Sequence, residues 1–210
     1  MSEASRTGGT IRVLLADDQA LVRGALAALL NLEQDIEVVA QVEDGDQAVR
    51  RAAEGGVDVC LLDIEMGSTN GIDAAARIGE VAPGCRTMMV TTFGRPGYLR
   101  RALDAGATGF VVKDKPASEL AEAVRRVHAG LRVVDPELAS ESLFEGSNPL
   151  TAREAELLRL AEDGRPVSQL AKDLFLSPGT VRNHLSSAIG KVGAGNRAEA
   201  ARAARDRGWL

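Results

Sequence analysis

Five side chains that can do chemistry each stand directly after a short apolar run in the first half of the chain. Three are carboxylates, one is a hydroxyl and one is an ammonium group: Asp17, Asp18, Asp63, Thr91 and Lys113. If the apolar runs are parallel strands of one sheet, their carboxyl ends meet at one edge and the five side chains converge there. The spacing therefore predicts a polar site built from strand ends.

These residue types favour the chemistry of a phosphoryl-accepting aspartate. Three neighbouring carboxylates repel one another and stay ionised together only beside a cation, and all-oxygen ligands favour Mg²⁺. A carboxylate can act as a nucleophile in aspartyl-phosphate chemistry, while a lysine and a threonine can hold phosphoryl oxygens. Each position alone has another explanation, since Asp17 and Asp18 could cap a helix and Lys113 could be a solvated loop residue. The five together favour phosphoryl transfer.

The segments that must position these residues alternate between strand and helix. Apolar runs predict five strands, and the stretches between them have helical periodicity. Such alternation is typical of an α/β doubly wound, five-stranded parallel sheet with helices on both faces. The predicted strands are 11–16, 36–40, 57–62, 87–90 and 109–112, and the predicted helices are 20–32, 46–54, 71–81, 98–105 and 118–129.

The strand-end motifs resemble those of the receiver domain of bacterial two-component response regulators, over residues 11–130. The motifs are Asp17-Asp18, Asp63-Ile-Glu-Met, Val90-Thr91 and Gly109-Phe-Val-Val-Lys113. The resemblance implies a flavodoxin-like fold, with Asp63 as the phosphoacceptor and Mg²⁺ as the cofactor. It also implies that Asp18 and Asp63 ligate the ion, that Asp17 acts through a coordinated water, and that the backbone carbonyl of Glu65 completes the protein ligands.

The same resemblance implies a set of switch residues. Thr91 would be the hydroxyl switch, and Lys113 would pair with the phosphate. Phe110 stands where the family has an aromatic switch whose rotamer follows Thr91, and this role is compatible with plain core packing. One departure concerns the loop after the acceptor, where Met66 is followed by Gly67 instead of the usual proline. Loss of a proline loosens a loop, which bears on metal affinity and on the lifetime of the phosphoryl group.

The composition of the 210-residue chain restricts its class. Hydrophobic residues make up 45% and charged residues 26%, as in a globular chain with a buried core rather than a disordered one. No apolar run approaches the roughly 18 residues that span a bilayer, and the first ten residues lack the apolar segment of a secretory signal. Cys60 and Cys85 are expected to be reduced and buried. We therefore expect a cytoplasmic protein without direct membrane contact.

Charge and periodicity divide the chain into two modules. The net charge of −5 is uneven, because residues 1–148 carry 15 basic and 23 acidic side chains, whereas residues 149–210 carry 10 and 7. An acidic front and a mildly basic back suggest different partners. Residues 131–148 lack strong periodicity, which predicts a linker with one short helix over 136–143.

The back module, residues 149–210, is predicted to be a small all-α domain of four helices. Thr151 and Glu154 have the spacing of a capping box, and Ser177 with Pro178 begins the third helix. The short helix and tight turn before it fit a helix-turn-helix whose third helix enters the major groove. Its exposed face is expected to reach phosphates and base edges through Thr180, Arg182, Asn183, Ser186, Ser187 and Lys191. Periodicity alone fits any small helical bundle equally.

A second resemblance favours DNA binding. Similarity to the LuxR-type DNA-binding domain lies in Asn148-Pro-Leu-Thr-Ala-Arg-Glu154, Leu176-Ser-Pro-Gly-Thr-Val-Arg-Asn-His184 and Asn196-Arg197-Ala-Glu-Ala200. The whole chain thus resembles the NarL/FixJ class, and the stretch 92–98 is further similar to regulators of the lipid-desaturase type. The third helix carries Ser186, Ser187 and Gly190 where basic residues are usual. We therefore expect weak DNA binding that relies on dimerisation.

The two resemblances imply a transcription regulator, not an enzyme, that is switched by phosphorylation of Asp63. A sensor histidine kinase would donate the phosphoryl group, and the modified chain would form a homodimer that binds paired half-sites of double-stranded DNA. One alternative is a phosphorylation-independent DNA binder that uses the receiver only for dimerisation. Another is an aspartyl-phosphate phosphohydrolase with Glu65 as its acid/base, although the sequence has no substrate cap.

Overall fold

The structure, a computed structural model, describes residues 9–67, 69–92, 94, 96–114, 116–136, 138–140, 148–161 and 164–210. The chain divides into two compact units, with the main division between Ala139 and Ser140. This division lies inside the segment predicted to be a linker. Within the described ranges, no helix has the length and apolar character that crossing a membrane requires.

The first unit is built on a parallel sheet of six strands: β1 (Ile11–Ala16), β2 (Ile36–Val42), β3 (Val59–Leu62), β4 (Arg86–Thr91), β5 (Gly109–Val112) and β6 (Val133–Val134). Their order is β2-β1-β3-β4-β5-β6, and every neighbouring pair is parallel. The predicted doubly wound architecture is confirmed, but the strand count of five was one too low. The extra strand, β6, is only two residues long, which is too short to show a strand pattern, and it falls in the predicted linker.

Five helices connect these strands: α1 (Ala20–Leu30), α2 (Gly45–Ala53), α3 (Gly71–Val81), α4 (Pro96–Asp104) and α5 (Ala117–His128). The bounds of these helices and of β1–β5 differ from the predicted ones by at most two residues. Helix α1 packs beside α5, and α2 packs beside α3. Of the short helix predicted over 136–143, residues 136 and 138–140 are helical, and the others lie outside the described residues.

The central strands form the core of the first unit because helices cover both faces of the sheet. All four residues of β3 are buried, as expected for a parallel strand with two covered faces. Cys60 and Cys85 lie in this interior as free thiols, with their sulfur atoms 3.4 Å apart.

The second unit contains four helices among its described residues, which confirms the predicted all-α architecture. They are α6 (Ala152–Ala161), α7 (Val167–Asp173), α8 (Pro178–Val192) and α9 (Arg197–Asp206). Their apolar faces share one core that includes Leu157, Leu158 and Leu170.

Side-chain caps fix where three of these helices begin. At the start of α6 the Glu154 amide donates to Thr151 Oγ1 at 3.2 Å, and the Thr151 amide donates to the Glu154 carboxylate at 2.7 Å. This reciprocal pair is the predicted capping box. The Ser177 hydroxyl oxygen accepts from the Thr180 amide at 3.0 Å at the start of α8, and Asn196 caps α9 in the same way. The capping box at Thr151 therefore fixes the first residue of α6, and the Ser177 cap fixes the first residue of α8.

Candidate functional site

Strand register places two of the predicted carboxylates side by side. Ala16 of β1 pairs with Leu62 of β3, so Asp17 and Asp63 leave neighbouring strands at the same edge. The Asp63 amide donates to the Ala16 carbonyl oxygen at 2.9 Å. From β1 the sheet runs to β2 on one side and to β3 on the other, and sheets of this kind bind ligands at such a switch in strand order.

A carboxylate cluster occupies this edge. One oxygen each from Asp17, Asp18 and Asp63 lies within 4.8 Å of the others. Asp17 and Asp63 are 2% and 4% exposed, whereas Asp18 is open to solvent. Two fixed oxygens and one on the solvent side fit a hard divalent cation such as Mg²⁺. Glu65 is exposed and its carboxylate is not part of this cluster, so its predicted contribution rests on the backbone carbonyl alone.

Lys113 reaches the cluster from the end of β5. Thr91, the last residue of β4, pairs with Val112, and the Lys113 amide donates to the Thr91 carbonyl oxygen at 2.8 Å. The Lys113 Nζ lies 2.7 Å from Asp17 Oδ2 and 3.1 Å from Asp63 Oδ2. An ammonium buried between two buried carboxylates compensates their charge. The five residues predicted from strand ends therefore all lie at one edge of the sheet.

The surroundings of Asp63 oppose its negative charge and orient its oxygens. Burial raises the pKa of the Asp63 carboxyl above its ordinary value and Asp17 adds to this, while Lys113 acts in the opposite direction. The Ile64 amide donates to Asp63 Oδ1 at 2.9 Å, which leaves Oδ2 beside Lys113. An oriented carboxylate oxygen next to a fixed cation is suited to nucleophilic attack that creates a more negative product.

Helix α8 has one apolar, buried face and one polar face. Its buried residues recur at helical spacing and are Val181, Leu185, Ala188 and Val192. Arg182, Asn183 and Ser186 are exposed, and Thr180 is half-buried. The polar face expected from the sequence is therefore present on the solvent side of the helix.

Two family models match the chain. Residues 13–125 match the response regulator receiver domain, and residues 148–204 match the bacterial regulatory proteins of the luxR family. The transcriptional regulatory protein DesR of Bacillus subtilis (strain 168) is 43% identical over 200 residues, which cover 95% of this chain and 99% of DesR. The chain belongs to the response regulators with a LuxR-type DNA-binding domain.

Solved structures of other response regulators have the same fold. ChrA, from a heme-sensing two-component system, is 36% identical with a TM-score of 0.57, over 97% of this chain and 100% of ChrA. RcsB in complex with DNA is 25% identical with a TM-score of 0.63, over 94% of this chain and 99% of RcsB. The match to DesR confirms the predicted similarity to regulators of the lipid-desaturase type. Members of this family are transcription regulators.

The loop after Asp63 in this response regulator is held at two points, although Gly67 replaces the usual proline. The Thr69 hydroxyl donates to the Asp46 carboxylate of α2 at 3.0 Å. At Gly71, a Cβ atom would lie 2.1 Å from the Asp63 carbonyl oxygen, so only glycine allows this close approach. These contacts hold the second half of the loop against the site.

Phe110 of this response regulator is fully buried in β5. A cavity of about 280 Å³ adjoins it and is also lined by Ala123, Val133 and Val134. Burial agrees with core packing, and the ring has no surface open to this cavity, because Phe110 is 0% exposed. The role of Phe110 as an aromatic switch stays a prediction.

Glu154 makes more contacts in this regulator than its predicted role in a capping box requires. Besides the Thr151 amide, its buried carboxylate accepts from the Ser187 hydroxyl at 2.6 Å and the Lys191 ammonium at 2.7 Å. Burial alone would raise the pKa of Glu154, but the hydrogen bonds from Lys191, Ser187 and Thr151 outweigh burial and lower the pKa to about 2.

This network joins α6 to α8 and engages two residues that were expected on the DNA-facing side. Ser187 and Lys191 both bind Glu154, and the Lys191 side chain is 36% exposed. A DNA contact from Lys191 stays a prediction, and it would have to share the ammonium with Glu154. The only sequence signal for Glu154 was its capping-box spacing.

Proposed function

We propose that the chain is a phosphorylation-switched transcription regulator in which Asp63 accepts a phosphoryl group from a sensor histidine kinase. The observation that carries this proposal is the buried Asp63 carboxylate, oriented beside Lys113 and two further carboxylates. An Asp63 oxygen attacks phosphorus, the bond from phosphorus to the histidine nitrogen of the kinase breaks, and Asp63 becomes an acyl phosphate. We assign residues 11–130 to the receiver, 131–148 to the linker and 149–210 to the DNA-binding domain.

The neighbouring carboxylates make the site suitable for a divalent cation. Asp18 and Asp63 would ligate Mg²⁺ directly, Asp17 would act through a water, and the Glu65 backbone carbonyl would complete the set. Bound Mg²⁺ would neutralise charge on the phosphoryl oxygens.

Lys113 and Thr91 would respond to the new phosphoryl group. The Lys113 Nζ, now 3.1 Å from Asp63 Oδ2, would pair with one phosphoryl oxygen, and the Thr91 hydroxyl would donate to another. Phe110 would change rotamer with Thr91. The modification adds nearly two negative charges, and these new contacts would stabilise one of two receiver conformations.

Phosphorylation would favour a homodimer through α1 and α5. Leu21 in α1 and Leu32 just after it are 86% and 79% exposed, and exposed apolar side chains are suited to burial in an interface. Arg125 of α5 binds Glu33 and Asp35 in the segment after α1. These ion pairs connect α5 to the segment that follows α1, so the two helices form one continuous surface.

The paired second units would bind two half-sites of double-stranded DNA through α8. Arg182 and Asn183 are exposed in its N-terminal half. Arginine can pair with a guanine edge or a phosphate, and asparagine with an adenine edge. The solved complex of the relative RcsB with DNA supports this choice of partner. Thr180, Ser186 and Lys191 complete the predicted set of contacts.

Genome-wide footprinting with and without a small phosphodonor tests the proposal. Wild-type chain should protect paired half-sites more strongly after treatment, whereas Asp63→Asn should not respond to the donor. Light scattering of the same samples should show a dimer that depends on Asp63. Equal protection by both proteins under all conditions would overturn the switch and favour phosphorylation-independent binding. Sustained turnover of small phosphate esters would instead favour the phosphohydrolase alternative.

A further inference from the structure

Phe175 combines an exposed ring with an unusual backbone conformation. It lies in the turn between α7 and α8 and is 97% exposed. Its φ is +55°, and no other non-glycine residue in the described part of the chain has a positive φ. The Leu176 amide donates to the Ala171 carbonyl oxygen at 2.8 Å, so Phe175 occupies the left-handed position of a Schellman motif at the end of α7. Glycine is the usual residue there, because a Cβ strains this conformation.

A phenylalanine at this position works against the stability of the fold in two ways. The backbone is strained, and an almost fully exposed ring gains very little from packing within the chain. A strained residue without compensation inside the molecule indicates an interaction outside it.

We infer that Phe175 makes an apolar contact with double-stranded DNA at the edge of the major groove, through deoxyribose carbons or a thymine methyl group. This inference rests on the proposed function, which places the N-terminal half of α8 in that groove. Phe175 precedes the N-cap residue Ser177 by two positions, so its Cα lies within about 7 Å of the start of the helix. A ring so close to the helix start would meet the groove as α8 enters it.

The charges around the turn also fit DNA. Lys172 and Arg182 are exposed on either side of Phe175 in the sequence. Asp173, the acidic residue of this turn, is engaged by Gln169 at 2.8 Å and by Arg165 at 3.4 Å. An exposed apolar ring with an exposed cation before it and another after it in the sequence suits a partner that offers phosphates together with apolar sugar and methyl groups.

Phe175→Gly and Phe175→Asn in the full-length chain test this contact. Both remove the ring, and both residues accept a positive φ, so the melting temperature should stay the same or rise. The probe is a duplex that the phosphodonor-treated wild-type chain enriches from a random-sequence pool. Both variants should bind it about tenfold more weakly, or about 1.4 kcal/mol. The salt dependence of binding should not change because the ring is uncharged. Phe175→Leu should recover part of the affinity.

Further measurements identify the group that the ring contacts and show which results would overturn the inference. If Phe175→Gly binds the duplex more weakly, a second duplex with deoxyuridine in place of thymidine identifies the contact. Wild-type binding to this duplex should weaken if the ring contacts a thymine methyl group. It should stay the same if the ring contacts deoxyribose. Wild-type affinity in both variants would overturn the inference. So would weaker binding that light scattering traces to loss of the dimer, because the ring would then contact protein. If the wild-type chain enriches no duplex, the proposed DNA binding fails, and this contact fails with it.

Discussion

Replacing Glu154 with glutamine should destabilise the second unit and remove most of its sensitivity to acid. The carboxylate is 3% exposed, and its pKa is lowered from 4.5 to about 2. Since one pKa unit corresponds to 1.36 kcal/mol, ionised Glu154 stabilises the folded state by about 3 kcal/mol relative to its neutral form. Because the folded pKa is the lower one, this stabilisation is complete above the unfolded pKa and is lost as the pH falls from 4.5 towards 2.

Tryptophan fluorescence isolates this effect in the full-length chain. The sequence has one tryptophan, Trp209, and it packs against the core of the second unit. Denaturant unfolding near neutral pH should show that Glu154→Gln lowers the free energy of unfolding by about 2–3 kcal/mol, because the amide cannot replace the charge opposite Lys191. The matched control is Glu156→Gln in the same helix. Glu156 is 44% exposed in its pair with Arg153, so its loss should cost less than about 1 kcal/mol.

Two results would contradict this prediction for Glu154. One is a Glu154→Gln variant as stable as wild type near neutral pH. The other is a wild-type chain whose free energy of unfolding falls no more steeply than that of the variant between pH 4.5 and 2.

Other substitutions test the receiver site and the DNA-facing helix. Gly71→Ala brings a Cβ 2.1 Å from the Asp63 carbonyl oxygen and should lower the melting temperature. In the control Gly79→Ala the Cβ would meet no atom within 4 Å, so this variant should be stabilised by about 0.5–1 kcal/mol. Equal shifts of the calorimetric melting temperature in the two variants would contradict this. Lys113→Met leaves two buried carboxylates uncompensated and should cost about 3–5 kcal/mol. Mg²⁺ should then raise the melting temperature of that variant more than that of wild type, and equal shifts would count against the cation site. Arg182→Ala should cost about 1–3 kcal/mol and relax preference at one base pair if it reads a base, or reduce the salt slope by about one if it binds a phosphate; unchanged binding excludes both.

The receiver site could be predicted because its residues mark the ends of apolar runs. A strand covered on both faces, such as Val59–Leu62, needs nearly continuous apolar residues, and the first charged residue after it, Asp63, marks where it ends. The strand Val133–Val134 could not be predicted in this way. Two half-buried valines have no periodicity, and they join the sheet only because β5 leaves an edge to pair with.

Contacts between distant residues lay beyond prediction from periodicity. Glu154 binds Ser187 and Lys191, which follow it by 33 and 37 residues. Helical spacing placed both on an exposed face, but the packing of α6 on α8 brings them to a buried carboxylate. The turn before α8 was predicted, but the left-handed backbone of Phe175 was not, because the usual sequence signal for a left-handed helix end is glycine.

Labelling by a small phosphodonor is the most direct test of Asp63 as the phosphoacceptor. Intact-mass spectrometry would compare the wild-type chain with Asp63→Asn and with Asp104→Asn, which changes an exposed aspartate of α4. We expect Mg²⁺-dependent addition of one phosphoryl group to the wild-type and Asp104→Asn proteins and none to Asp63→Asn, because an amide is not a nucleophile. Undiminished labelling of Asp63→Asn would contradict the assignment of the site and the switch that depends on it.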